Sequence, residues 1–440
     1  MKKKILFSLA LMSCLAVSAQ KKWTLDDCIS YAIENNLALR KARLTKKTVQ
    51  ENTKQSKAEL FPSLSASTNH SVTYEPWVDS NLSDEKVSLD KTSYFGNYNI
   101  TGKWTVWNGG KNINQLRSDR LTEQQAELDI QEQSNTIQEE IAKVYIQALY
   151  TNEAIKVNKE SLEASKTNEE RGQKMVEVGS MSKAELAQLT AQRATDEYNL
   201  VEIETKLAKY IVQLKQLLEL QDDLEFDIAI PETPDEQALA PIPALQSVYE
   251  QALLVRPEIK NAELDLKQAD LDIKIARSNY MPTVSLTGGI STSTSSPNSN
   301  KWGQQMKGNF DATAGVGITV PIFDNRLAKT AVNKARIQRE QALLDQLDER
   351  ETLYDTIEDY WLDAQTNQQK FRAAQVSVDS EQKSYDLLSE QFQLGLKNVV
   401  ELLTGKVTLL KAQQNKLQSK YTTILSLKLL RFYQGEKMNL

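Results

Sequence analysis

The chain has 440 residues, 40% hydrophobic and 25% charged, with a formal charge of −6. That length is worth about three ordinary domains. With 15 Gly and 10 Pro, collagen-like and low-complexity classes are excluded. One His and two Cys cannot build a Cys/His zinc site, and His-based acid/base chemistry would have to use His70. Acids and bases are both abundant, so no basic footprint for nucleic acid is visible. Leu, Gln, Lys, Glu and Ala crowd the chain, a composition that favours long helices. No cofactor is implied.

The N-terminus has the form of a secretory signal peptide over residues 1–19. Lys2, Lys3 and Lys4 precede an apolar run from Ile5 to Val17, and Val17-Ser18-Ala19 offers small residues for cleavage before Gln20. The alternative is a lipoprotein signal, with Cys14 acylated after Leu11-Met12-Ser13. Loss of the three Lys takes the charge from −6 to −9. Only Cys28 then remains, so no intrachain disulfide forms in the oxidising compartment. No later stretch holds about 18 consecutive apolar residues, so a membrane span would have to use strands.

An internal duplication organises the rest. Residues 32–65 match residues 252–285 at an offset of 220: Ala32 with Ala252, Ala42 with Ala262, Leu44 with Leu264, Pro62 with Pro282. Later the offset is 216, where Trp107 falls on Phe323, Asn108 on Asp324 and Gly179 on Gly395. The copies are residues 20–220 and 245–440. Between them, residues 221–244 hold Pro231, Pro234, Pro241 and Pro243 amid acids, as an irregular connector would.

Each copy is predicted as helix, strand, strand, helix, helix. In copy one the helix 24–60 ends before Pro62, strands cover 63–74 and 94–107, and helices cover 111–177 and 182–219. Copy two gives 245–280, 283–293, 311–323, 327–393 and 398–434. Leu353, Ile357, Tyr360, Ala364, Phe371, Val378, Tyr385, Leu388 and Phe392 form a heptad seam. Ile137, Ile141, Val144, Ala148, Ile155 and Leu162 occupy the same frame in copy one. A helix of 67 residues is about 100 Å long, more than a compact domain needs.

The strands alternate. Ala314, Val316, Ile318, Val320 and Ile322 oppose Thr313, Gly315, Gly317 and Thr319. Tyr98, Ile100, Trp104 and Val106 oppose Asn97, Asn99, Thr101, Lys103 and Thr105. This suits a barrel wall in lipid, with Tyr94, Phe95, Trp104, Trp107 and Phe323 as an interfacial girdle; a soluble sandwich is the competing pattern. Four strands cannot close a barrel, since barrels need at least about eight, so three chains giving twelve or two giving eight are required. Residues 76–90 and 291–305 are polar and suit extracellular loops. His70 is expected near the outer end of its strand as an interface residue, and Cys28 packed in the first helix.

The segments WTLDDCISYAIENNLALR, ELFPSLSAS and WTVWNGGKN, with ALLVRPEIKNAELDLKQAD, NYMPTVSLTGG and GVGITVPIFDNRLAK in copy two, resemble the TolC-like outer membrane efflux proteins over essentially the whole mature chain. Pro62, Pro282, Gly109, Gly110 and Pro321 anchor the strand–helix junctions in this match. The resemblance implies a mainly α fold with a β-barrel part. A homotrimer would form a twelve-stranded outer-membrane barrel continuous with a long periplasmic α-helical coiled-coil barrel. It implies an exit duct rather than an enzyme, partnered by a periplasmic adaptor and an inner-membrane pump of the resistance-nodulation-division or ABC type, in outer membrane lipid.

The resemblance also assigns roles at the two helix–helix turns. Val178, Gly179, Leu394, Gly395 and Leu396 are expected to meet the adaptor at the periplasmic tips. Glu185, Lys397 and Glu401 are expected at the entrance gate. A second family acid is Thr404 here, which thins the acidic constriction. Lys397 stands where the family has an Arg, and a point charge lacks the bidentate fork. The bland alternative for all three charges is ordinary solvated helix ends. Two other functions compete: a periplasmic adaptor, which would carry one hairpin and no duplicated strand pairs, and an exported glycosidase, whose carboxylates would need a common pocket.

Overall fold

The structure, a computed structural model, describes residues 22–77, 91–220 and 226–438. The expected signal peptide with Cys14 lies outside these residues. So do residues 78–90 of the expected first outer loop and 221–225 of the connector. The described elements, in order, are α1 (Leu25–Asn35), α2 (Leu37–Ala58), β1 (Ser63–Tyr74), β2 (Thr92–Trp107), α3 (Lys111–Glu177) and α4 (Lys183–Leu217), then α5 (Asp235–Ala238), α6 (Leu245–Val255), α7 (Pro257–Ser278), β3 (Thr283–Ser295), α8 (Trp302–Gly308), β4 (Asp311–Thr319), α9 (Leu327–Gln393) and α10 (Val399–Tyr433).

The chain forms two compact units, and each draws on both sequence copies. The strand unit comprises residues 44–128 and 260–347. Its sheet runs β1-β2-β3-β4, antiparallel throughout. The register puts the alternation of all four strands in phase. One row is Ala66, Ile100, Ile290 and Ala312; the next row on the opposite face is Ser65, Thr101, Gly289 and Thr313. One face is therefore apolar across the sheet and the other is hydroxyl-rich. Much of the apolar face is exposed: Leu64 is 77% exposed and Val316 67%. The strands hold two charged residues, Lys103 and Asp311, both on the hydroxyl face.

The last strand is shorter than predicted. β4 ends at Thr319, paired with Thr283, because Pro321 has no N–H to continue a ladder. Val320, Ile322 and Phe323 lie beyond it. Thr294 and Ser295, past the predicted strand end at 293 and within the expected loop, extend β3, and part of the remaining loop is the short helix α8.

The helical unit comprises the described residues up to Arg43, residues 129–259 and those from 348 on. The seam residues Ile137, Ile141, Val144, Ala148, Leu353, Ile357 and Ala364 are buried together with Leu427 and Leu430 of α10. The connector docks rather than dangles. Ala229 N donates to Trp23 O at 2.7 Å, and the Tyr145 hydroxyl donates to Ala229 O at 2.6 Å. Further on, Gln368 of α9 donates to Ala238 O and Ala240 O, and Trp361 donates to Pro243 O.

The first predicted helix of each copy is broken. Asn36 leaves the helix at φ −59°, ψ 132°, and its side chain accepts from Ala38 N at 2.8 Å, capping α2. At the matching position Arg256 leaves at φ −68°, ψ 131°, because Pro257 at the first position of α7 disfavours a helical residue before it. Apolar periodicity runs through both breaks, which is why periodicity alone joins the helices.

Candidate functional site

The turns between α3 and α4 and between α9 and α10 are built alike. Gly179 has φ +77° and Gly395 φ +72°, the left-handed conformation that glycine adopts without a Cβ penalty. Gly179 N donates to Val176 O at 3.0 Å and Ser180 N to Met175 O at 2.8 Å. In the second turn, Gly395 N donates to Phe392 O at 3.0 Å and Leu396 N to Gln391 O at 2.9 Å. These paired bonds satisfy the last helical carbonyls. Val178, Leu394 and Leu396 stand out from the turns, 78%, 74% and 70% exposed.

Each turn closes with a reciprocal cap. Ser182 Oγ accepts from Glu185 N at 3.2 Å, and Glu185 Oε2 accepts from Ser182 N at 2.9 Å. Asn398 Oδ1 accepts from Glu401 N at 2.9 Å, and Glu401 Oε2 accepts from Asn398 N at 3.2 Å. The six-residue spacing from Gly to acid is thus three residues to the cap and three more to its partner. The Ser182 backbone N–H and hydroxyl hold the Glu185 carboxyl below its usual range. The Lys397 ammonium and the Asn398 N–H do the same for Glu401.

Lys397 precedes the cap and so lies off the helix, rather than one turn back along its face. Its Nζ still reaches Glu401 Oε1 at 2.5 Å. Both side chains are exposed enough for solvent to screen the pair. Thr404 spends its hydroxyl on Val400 O at 2.7 Å.

Beneath the turns, Leu189, Phe392, Val399 and Leu402 form one buried cluster, so the two hairpins share a core. Further along lies a feature the sequence did not signal. Lys406 of α10 donates to Asp196 of α4 and to Ser165 of α3, and Ser165 donates to Asp196. The Lys406 and Asp196 side chains are only 4% and 2% exposed. Burial pulls the Lys406 ammonium below its usual range, opposed by Asp196. At the 216 offset the equivalents are Thr190, Ala412 and Glu381, so the duplication gives no hint of this cluster.

The junction anchors fall between helices and strands. Pro62 and Pro282 immediately precede β1 and β3, and Pro321 follows β4. Gly109 and Gly110, before α3, have φ +67° and +80°. Their counterparts before α9 are Asn325 at +52° and Arg326 at +69°. The turn geometry thus persists where the glycines do not. The flanking Asn108 and Asp324 also agree: each side chain accepts from the backbone N–H four residues on, Asn112 and Ala328.

Elsewhere, His70 lies within β1, hydrogen-bonded to the Tyr94 hydroxyl and to Thr68. Cys28 is fully buried, and burial pushes its thiol up to about 12. Among the described residues no cluster of His, Cys, Asp and Glu could hold a metal. None of the described helices is long and apolar enough to cross a membrane.

Paired helical hairpins together with an antiparallel sheet that exposes an apolar face are an architecture of the outer membrane efflux class. The chain belongs to the outer membrane efflux protein family, whose model matches residues 28–219 and 248–436. It is similar to the probable efflux pump outer membrane protein TtgC of Pseudomonas putida, 24% identical over 401 residues, 89% of this chain and 78% of the relative. It is also similar to the probable outer membrane lipoprotein SilC of Salmonella typhimurium, 26% identical over 184 residues, 42% of this chain but only 39% of SilC. A solved structure of CusC superposes with a TM-score of 0.79 at 19% identity, covering 94% of this chain and 95% of that one, and shows the same fold.

Proposed function

We propose that three copies of this chain close their sheets into one twelve-stranded barrel in the outer membrane. Their long helices form the periplasmic part of an exit duct for an efflux or secretion system. The observation that carries this reading is the sheet itself. It exposes much of an apolar face, and among the described residues β1 and β4 each pair on one side only. In lipid an unpaired edge costs several kcal/mol per polar group, so such a sheet must close with others. The hydroxyl face around Lys103 then lines an aqueous lumen.

Substrates reach the duct from an inner-membrane pump through a periplasmic adaptor that meets the exposed tips at Val178, Leu394 and Leu396, turned by Gly179 and Gly395. Glu185, Glu401 and Lys397 sit beside these tips and set the charge of the entrance. An adaptor would show a single hairpin; this chain has two, on either side of a shared core. The decisive experiment is the mass of the detergent-extracted protein together with its conductance in planar bilayers. A trimer with long-lived channels is expected; a monomer or dimer that conducts would sink the twelve-stranded arrangement.

A further inference from the structure

The connection from β3 to β4 is held firmly to the sheet. Beyond Ser291, the partner of Asp311, β3 keeps β2 on one side but has no strand on its β4 side. The Gln305 side chain takes the place of one: its Oε1 accepts from Ser295 N at 2.8 Å and its Nε2 donates to Ser295 O at 3.1 Å. Asn309 Nδ2 donates to Ser293 O at 2.7 Å. These side-chain amides satisfy backbone groups that a sheet edge would otherwise leave open.

The anchoring decides on which face α8 rests. Thr292 Oγ1 donates to Met306 O at 2.8 Å, and Trp302 meets the Tyr98 ring edge-on at 6.4 Å between centroids. Thr292 and Tyr98 are register partners on the apolar face. α8 therefore lies against that face, at the end of the strands where the β1–β2 and β3–β4 connections are made. Trp302 and Phe310 remain more than half exposed. Beside them runs a predominantly apolar groove of about 370 Å³, bounded by Tyr98 and Phe310 over Ala66, Ile100 and Ile290. Lys301 is the N-cap of α8 and Lys307 lies in its last turn, and α8 carries no acid.

We propose that this groove binds an acyl chain of a phosphorylated glycolipid of the outer leaflet, with Lys301 and Lys307 at its phosphates and Trp302 at headgroup depth. The proposal rests on the reading that the apolar face meets lipid. The groove is continuous with that face, so its occupant arrives from the bilayer. Its end of the strands lies in the outer leaflet, where phosphorylated glycolipid is the anionic lipid. Lysines on a helix seated next to an apolar slot suit a phosphate above a hydrocarbon chain, and indole favours the boundary between them.

The test uses the full-length protein extracted from outer membranes and weighed by native mass spectrometry. Bound glycolipid and added phosphatidylglycerol are counted per chain. Wild type should retain glycolipid in preference to phosphatidylglycerol. The double variant Lys301→Gln/Lys307→Gln should lose it about ten-fold or more. Ala66→Phe, which fills the groove floor, should lose it too, while Lys103→Gln on the opposite face should not. Equal retention by both groove variants, a glycolipid-free wild type in the outer-membrane fraction, or equal retention of phosphatidylglycerol would each overturn the proposal. A wild type absent from the outer membrane would instead overturn the membrane reading, and this inference with it.

Discussion

Gly172 and Leu189 occupy one contact between α3 and α4, where a Cβ on Gly172 would lie 2.6 Å from Leu189 Cδ1. In the second hairpin the roles are exchanged: Leu388 of α9 meets Gly405 of α10, with the same 2.6 Å between an added Cβ and Cδ1. At the 216 offset Gly172 corresponds to Leu388 and Leu189 to Gly405. One hole and one knob thus survive in each copy, on opposite helices. Gly172→Leu should destabilise the hairpin by about 1–3 kcal/mol through overpacking. The exchange Gly172→Leu/Leu189→Gly should recover most of that loss, because it recreates the second copy's arrangement. Thermal unfolding of the two variants measures the coupling, and simple additivity would show that the contact is not shared.

The cluster of Lys406, Asp196 and Ser165 gives a second prediction. Asp196→Ala leaves a buried ammonium without its carboxylate and should cost about 3–5 kcal/mol. Replacing the pair together, Asp196→Leu/Lys406→Met, should be close to neutral, since neither charge then needs desolvation compensation. Denaturant midpoints compare the two; a double variant as unstable as the single one would mean the cluster contributes more than mutual neutralisation.

Strain before α9 supplies a third. A non-glycine residue in the left-handed region costs roughly 1–2 kcal/mol, and Arg326 adopts it without a short polar side chain to ease it. Arg326→Gly should raise stability by up to about 1 kcal/mol after the entropy of the unfolded glycine is counted. In the other copy Gly109→Ala should lower stability, because its Cβ would fall 2.7 Å from Met281 Cβ at a positive φ. Opposite signs in calorimetry are the expected result.

The entrance charge is tested by Glu401→Gln. Glutamine also serves at the third position of a capping box, so the helix start is kept while the charge is lost. Planar bilayers should show reduced cation preference and weaker block by trivalent cations. Lys397→Ala should increase spontaneous opening. Unchanged selectivity and block in Glu401→Gln would place that carboxylate away from the conduction path.

Acid should loosen both tips. The native values of Glu185 and Glu401 lie below the ordinary 4.5. Their contribution is therefore complete above that value and is lost as pH falls through the lower native values. Hydrogen exchange at residues 182–185 and 398–401, corrected for the intrinsic rate, should rise as the carboxylates protonate. Glu185→Gln should flatten the response at the first tip alone.

The bounds of α3 and α9, at 111–177 and 327–393, were legible in the sequence because a heptad seam and a closing Gly are local signals repeated in both copies. Strand alternation was legible for the same reason. The helix breaks were partly written there too: Pro257 marks one, and the duplication carries it to Asn36. Ser182 with Glu185 and Asn398 with Glu401 already stood at capping distance, so the caps needed no tertiary information.

Other features were decided only by the tertiary structure. Asp196 and Lys406 are 210 residues apart, and Ser165 and Lys406 are 241 apart. No periodicity or propensity links residues at such distances; helix packing alone brings them together. Alternation assigned two faces to each strand, but only the register put the four apolar faces in phase, and only tertiary contacts set α8 on that side. Local signals arise from neighbours along the chain, whereas burial of a charge, exchange of a knob and a hole, and the seating of α8 on the sheet arise from neighbours in space.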